Sequence, residues 1–137
     1  MATEWFENRK LQAGVALFTI SLVISGCEPQ APTAPAGLLA SAQAQEAGRA
    51  LFAADCAICH GADGSGRGQR REGMSPPPAD LTLPPWSDTA SAGSTYLAIR
   101  EGVRGTAMAG WPMLSDEEIW QLVAHITSLG GPVAPPA

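Results

Sequence analysis

Five consecutive residues constrain this 137-residue chain more than any other feature: Cys56-Ala57-Ile58-Cys59-His60. Two cysteines separated by two residues and followed directly by histidine form the attachment motif for c-type haem. Each thiol adds across a haem vinyl group to give a thioether, and the adjacent imidazole is the proximal ligand of the iron. The motif therefore predicts one covalently bound haem c, held by Cys56 and Cys59, with His60 on the iron.

Two other chemistries use cysteines at this spacing. A thioredoxin-like redox dithiol needs a βαβ context, and the chain shows no alternation of apolar strands and helices. A structural zinc site needs four ligands. Outside the motif only Cys27 and His125 could supply a thiolate or an imidazole. Both alternatives are weaker than haem attachment.

The N-terminus has the layout of an export signal. Residues 1–10 end in a basic pair, residues 11–24 are almost entirely apolar, and small residues precede Cys27. The apolar stretch is shorter than the ~20 residues that a membrane-spanning helix needs. The segment 22–27 resembles the lipobox of bacterial lipoproteins, in which the cysteine is acylated and becomes the first mature residue. We expect residues 1–26 to be a signal peptide and Cys27 a lipid anchor; the alternative is an uncleaved membrane anchor.

The remaining chain divides into a linker, one small domain and a tail. Residues 27–40 are rich in proline and alanine without an amphipathic period, which is typical of a semi-rigid linker. Residues 41–131 form the expected domain, and residues 132–137 the expected disordered tail. A domain of about 90 residues has a marginal core, so a large apolar cofactor would stabilise it.

Helical patterns bracket the domain. Residues 41–55 are predicted to be helical, with Gly48 and Phe52 on one face. A glycine inside a helix costs about 1 kcal/mol relative to alanine, so Gly48 indicates close approach of another helix. A short helix is expected at 94–101. The last helix begins with a capping box, Ser115 and Glu118. Its apolar stripe comprises Ile119, Leu122, Val123 and Ile126.

Loops join these helices. Residues 61–87 contain several glycines and three consecutive prolines, and we expect this loop to cover the His60 side of the haem. A carbonyl near Pro76–Pro78 could accept the Nδ1 proton of His60 and fix its tautomer. Three nearby arginines are expected to be a solvated cluster: Arg67, Arg70 and Arg71. A second loop, Gly105 to Trp111, carries small residues around Met108.

The motifs together resemble the class I cytochromes c of the bacterial single-haem type. They are Cys56 to Gly61, Pro78-Ala79-Asp80-Leu81, Gly105-Thr106-Ala107-Met108 and Leu114 to Trp120. The resemblance covers residues 44–129 and implies an all-α fold in which three main helices wrap around one haem. It further implies that the first and last helices cross at right angles, Gly48 and Phe52 meeting Leu122 and His125. It also places the sixth iron ligand at Met108.

The residues themselves also favour Met108 as the axial ligand, because a loop of small residues brings a thioether to iron without steric cost. Met113 is expected to pack, Met74 belongs to the His60-side loop, and His125 lies on a helix stripe. With both axial positions filled, no coordination site is open to substrate. We therefore expect an electron carrier and not an enzyme. A haem enzyme or gas sensor with a labile sixth ligand is the rival interpretation.

Charge and targeting suggest the partners. A net charge of −5 argues against nucleic acid. The expected partners are redox proteins, with no small-molecule substrate. The expected location is the outer face of a membrane, because haem is attached to this motif outside the bacterial cytoplasm. The chain could shuttle freely or be the haem-bearing subunit of a larger membrane oxidoreductase.

Overall fold

The computed structural model describes residues 31–131, and within this range the regular structure is helical. Four α-helices form the domain: α1 is Ala42–Leu51, α2 is Ala57–His60, α3 is Ala92–Glu101 and α4 is Asp116–Leu129. A π-helical segment, Phe52–Cys56, joins α1 to α2. Short 3-10 turns occur at Gln69–Arg71 and Thr89–Ser91. The expected all-α fold is confirmed.

Helices α1 and α4 pack in close contact at a glycine. A Cβ atom at Gly48 would lie 1.8 Å from the backbone oxygen of Gln121 and 3.0 Å from the Cβ atom of His125. One turn further on, the rings of Phe52 and His125 meet edge to face with centroids 5.1 Å apart. The expected close approach at Gly48 and Phe52 is confirmed, because no residue with a side chain fits between the two backbones.

The core is built largely from the stripe of α4. Its predicted members, Ile119, Leu122, Val123 and Ile126, are all buried. The helix begins at the predicted capping box, in which the Ser115 hydroxyl accepts from the Glu118 amide while the Glu118 carboxylate accepts from the Ser115 amide. Reciprocal bonds of this kind satisfy amides that a helix start leaves without partners.

Residues 31–40 differ from the expected linker. Ala34, Leu38 and Leu39 are partly buried against the core, and the Gln45 side chain donates to the Leu39 carbonyl at 2.8 Å. This segment therefore packs on the domain. The start of the expected linker and the expected tail lie outside the described residues, as does the expected signal peptide. Among the residues described, no helix is long and apolar enough to cross a membrane.

Candidate haem site

A cavity of about 540 Å³ lies between the Cys56–His60 motif, the loop after it, α3 and the Met108 loop. Its volume is within the ~300–1,000 Å³ typical of small-molecule and cofactor sites. Most of its wall is apolar, and among residues 31–131 Asp55 and Arg70 are the only carboxylate and guanidinium side chains that line it. The residues predicted to bind haem line this same cavity: Cys56, Cys59, His60 and Met108. Cys27 lies outside the described residues.

The cysteines lie at the end of the long N-terminal helical segment. Cys56 closes the π-helical segment and Cys59 belongs to α2. Both thiols are free. Burial raises the pKa of the Cys56 thiol to about 12, and the charge of Asp55 adds to the increase. Redox-active dithiols use cysteines whose pKa is lowered, so the raised pKa of Cys56 does not favour the dithiol alternative.

The π-helical segment was not predicted from the sequence. A π turn spans five residues per hydrogen bond and often occurs at functional sites. Here it lies between Phe52, which is buried against α4, and the motif that begins at Cys56. Because of this wider turn, one continuous helical segment places Phe52 in the contact with α4 and places its last residues on the cavity wall.

His60 is oriented by the backbone of the loop that follows it. Its Nδ1 atom lies 3.1 Å from the carbonyl oxygen of Ala79, one residue beyond the predicted Pro76–Pro78 stretch. Because a carbonyl can only accept, Nδ1 carries the proton and Nε2 keeps its lone pair. Burial lowers the pKa of His60, and the bond to Ala79 partly opposes this effect. The ring is thus set up as a neutral nitrogen donor.

The loop that carries Met108 is held in shape by its own backbone. The amide of Val103 donates to the Met108 carbonyl at 3.0 Å, and the Met108 amide donates to the Thr106 hydroxyl at 3.1 Å. Gly102 has a φ of +80°, and a Cβ atom there would lie 2.7 Å from the Met108 carbonyl oxygen. These contacts fix the backbone from which the Met108 side chain reaches the cavity.

A cluster of polar side chains joins the two helices that flank this loop. The Tyr96 hydroxyl donates to the Asp116 carboxylate at 2.5 Å, Arg100 forms an ion pair with the same carboxylate, and Arg100 also donates to the Leu114 carbonyl at 2.7 Å. The cluster ties α3 to the start of α4. Sequence reasoning missed it, although the four-residue spacing of Tyr96 and Arg100 on one helix face was a usable signal.

The other methionines and His125 occupy distinct environments. Met74 also lines the cavity, from the loop that supplies Ala79 on the His60 side. The expectation that Met113 packs is wrong: it is 75% exposed, because its neighbours Trp111 and Leu114 take the positions against the core. His125 is buried at the contact of α1 with α4, away from the cavity wall.

The cavity residues fit a haem group. An apolar wall suits the porphyrin, two thiols are spaced for its vinyl groups, and a neutral imidazole and a thioether are typical axial ligands. Within residues 31–131 no group of three or more His, Cys, Asp or Glu side chains could hold a metal ion. That part of the chain therefore lacks a set of side chains that could bind zinc.

Comparison with known protein families shows which family the chain belongs to. A family model described as cytochrome c oxidase, cbb3-type, subunit III matches residues 43–126. The chain belongs to this family of class I c-type cytochromes. The cytochrome carries covalently bound haem c, as the motif predicted. No curated protein matches it.

Two solved structures are similar to the cytochrome. A chain of the reducing HAO-like protein complex of Kuenenia stuttgartiensis superposes with a TM-score of 0.57 at 27% identity, covering 66% of this chain and 45% of that chain. Cytochrome CL of Methylophaga aminisulfidivorans superposes with a TM-score of 0.49 at 23% identity, covering 66% of this chain and 55% of that chain. The cytochrome thus spans about half the length of either chain.

Proposed function

We propose that this cytochrome is a single-haem electron carrier that moves one electron at a time between redox proteins at the outer face of a membrane. The observation that carries the proposal is that His60 and Met108 line one apolar cavity. Two protein ligands would leave the iron no open position for a substrate. Bound haem supplies the chemistry, a reversible one-electron change of its iron.

The residues around the cavity tune this chemistry. The Ala79 carbonyl holds His60 as the donor tautomer, which strengthens it as a ligand. The Met108 thioether would be a soft ligand, which would favour the reduced iron and raise the reduction potential. The apolar wall would surround the porphyrin with few polar groups, which also favours the less charged, reduced state. Each contribution suits a carrier of relatively high potential.

A haem enzyme would need acid–base groups beside the iron on the Met108 side. The loop residues that line the cavity there are Val103, Thr106, Ala107, Met108, Ala109 and Trp111. None of them is acidic, basic or a histidine. Arg104, the nearest cation in sequence, is exposed and is not part of the wall. This composition favours electron transfer over peroxide chemistry.

The attachment sites have a direct test. Haem should remain on the polypeptide through a denaturing gel, and the double variant Cys56→Ala, Cys59→Ala should lose the haem stain from the band because both thioethers are gone. Wild-type protein whose haem runs free of the band would contradict covalent attachment.

The membrane location rests on Cys27, and its test is separate. Cys27→Ser should prevent lipid attachment and cleavage at this position, so that the mature fragment beginning at residue 27 disappears. Mass spectrometry of the N-terminal peptide measures both events. A mature form without lipid in both versions would indicate ordinary signal cleavage and contradict the anchor.

A second candidate is the haem-bearing subunit of a larger membrane oxidoreductase. The matching family model is described as an oxidase subunit, and the Kuenenia chain belongs to a protein complex. Purification from native membranes in mild detergent separates the two candidates. A subunit co-migrates with its complex through size exclusion at stoichiometric amounts, whereas a shuttle elutes alone.

A further inference from the structure

The segment Ala31–Ala40, which we call the strap, is held to the domain at both ends. At its start, a Cβ atom placed on Gly93 would lie 2.4 Å from the Pro32 carbonyl oxygen and 3.1 Å from the Ala31 Cβ atom. At its end, Leu38 and Leu39 pack against the core, and Gln45 donates to the Leu39 carbonyl at 2.8 Å. The strap thus crosses from the first turn of α3 to the start of α1.

The strap also has internal order. The Leu38 amide donates to the Pro35 carbonyl at 3.1 Å, and the Ser41 amide donates to the Leu38 carbonyl at 3.0 Å. Ser41 then caps α1 through its hydroxyl. Two prolines, Pro32 and Pro35, restrict the backbone of this segment, which lowers the entropy lost on docking. These features suit a segment that stays on the domain.

The strap lies on the side of α3 that faces away from the haem cavity. Thr95, Ala98 and Ile99 line the cavity. At about 100° per residue these positions are roughly 140–240° around the helix from Gly93, so Gly93 and the Pro32 carbonyl belong to the opposite face. A tether that leaves the domain here does not cover the cavity.

We propose that the strap fixes the point at which the chain leaves the domain, so that a lipid on Cys27 holds the outer face of α3 against the bilayer. The inference rests on the proposed anchor at Cys27. Only three residues lie between Cys27 and Ala31, so the four Cα–Cα steps reach at most ~14 Å when fully extended. A free linker to Ala40 would reach roughly 40 Å in the extended polyproline conformation. The strap itself carries no charged side chain, so its own approach to a lipid surface buries no charge, and Glu28 is the one charged residue between it and Cys27.

This arrangement has a consequence for electron transfer. A tether this short would keep the exit point beside α3 close to the lipid, which restricts the rotation of the domain and favours orientations with the cavity side of α3 away from the lipid. Redox partners would therefore reach the cavity mainly from the side away from the membrane and within a narrow range of heights. A long flexible linker would instead let the domain rotate freely.

Gly93→Ala tests the docked strap in the full-length, haem-loaded protein in detergent, with Ser94→Ala as the matched control on the exposed side of the same turn. A Cβ at residue 93 collides with backbone atoms of the strap, so Gly93→Ala should lower the midpoint of thermal unfolding by about 4 °C or more relative to the control. If the strap were free, alanine would exceed glycine in helix propensity. An unchanged or raised midpoint would therefore overturn the inference.

If Gly93→Ala fails to fold, hydrogen exchange of the wild-type protein tests whether the strap is docked. The amides of Leu38 and Ser41 should exchange at least tenfold more slowly than in an unstructured peptide, because both donate hydrogen bonds in the docked strap. Exchange at the peptide rate would mean that the strap is not docked.

Neutron reflectometry on a supported bilayer tests the height of the domain. Wild-type protein should leave a gap of at most about 15 Å between lipid and domain, and twelve Gly/Ser residues inserted after residue 30 should widen it. Equal gaps would overturn the fixed tether. The mass of the N-terminal peptide from the same samples separates the causes: a missing lipid would refute the anchor and the bilayer contact, while the melting and exchange results still decide whether the strap docks.

Discussion

At the residue scale, His125 is a buried ionisable side chain with a hydrogen-bonding atom left unsatisfied by the described residues. Its Nε2 atom is buried and has no hydrogen-bond partner among residues 31–131, and its ring packs on Phe52. The charged groups that act on it from α1 are Glu46 and Arg49, which form an exposed ion pair with each other. Burial, with help from Arg49, lowers the pKa of His125 in the folded protein, while Glu46 opposes this effect.

The lowered pKa predicts a pH dependence of stability. An unfolded chain takes up a proton on this histidine near pH 6.5, whereas the folded protein does so only at lower pH. The free energy of unfolding should therefore be constant above about pH 7.5 and fall below pH 6.5. For one proton the slope is at most about 1.4 kcal/mol per pH unit.

His125→Phe isolates this effect, because it keeps the ring contact with Phe52 and removes the titrating nitrogens. Denaturant unfolding of the haem-loaded protein between pH 5 and 8 should show a smaller slope for the variant. His60 is present in both proteins, so it cancels in the difference. Identical slopes would mean that His125 does not titrate on unfolding.

At the element scale, the Met108 loop is the part of the fold whose backbone matters most for function. Gly102 and Gly105 both have positive φ angles, +80° and +76°. A Cβ at Gly102 would contact the Met108 carbonyl at 2.7 Å, whereas a Cβ at Gly105 would meet nothing within 4 Å. Alanine at either position would strain the backbone, but only alanine at residue 102 would also collide with the Met108 carbonyl. Comparing the two substitutions therefore distinguishes the two effects.

Gly102→Ala should loosen the loop and weaken the bond of Met108 to iron. We expect a weaker near-infrared sulfur-to-iron band and faster carbon monoxide binding by the reduced protein. Gly105→Ala carries a similar cost of about 1–2 kcal/mol for its left-handed backbone and should leave both signals unchanged. Equal effects of the two substitutions would show that strain alone, not the contact with Met108, controls the ligand.

At the scale of the whole molecule, the parts that could be predicted from sequence are those with local or motif-based signals. The capping box of α4, its apolar stripe and the close approach at Gly48 each depend on residues at helical spacing. The haem-binding motif is contiguous, so its chemistry needs no tertiary information. The small residues around Met108 and the family resemblance both predicted it as the axial ligand; Met108 lines the cavity, and its bond to iron stays a prediction.

What the sequence did not predict depends on distant contacts. The Pro/Ala-rich strap has no period, and its docking requires Gly93, more than fifty residues away. The cluster of Tyr96, Arg100 and Asp116 joins two helices across a loop. Met113 was placed wrongly, because hydrophobicity alone does not show which neighbour turns inward after Pro112.

The central claim is that Met108 closes the iron and makes the protein an electron carrier. The spectrum of the oxidised, haem-loaded protein tests it most directly, with Met108→Ala beside Met113→Ala. Wild-type protein should be low-spin with the near-infrared sulfur-to-iron band. Met108→Ala should lose the band, lower the potential and admit carbon monoxide, whereas the exposed Met113 should be replaceable without spectral change. High-spin wild-type protein that turns over peroxide would contradict the account.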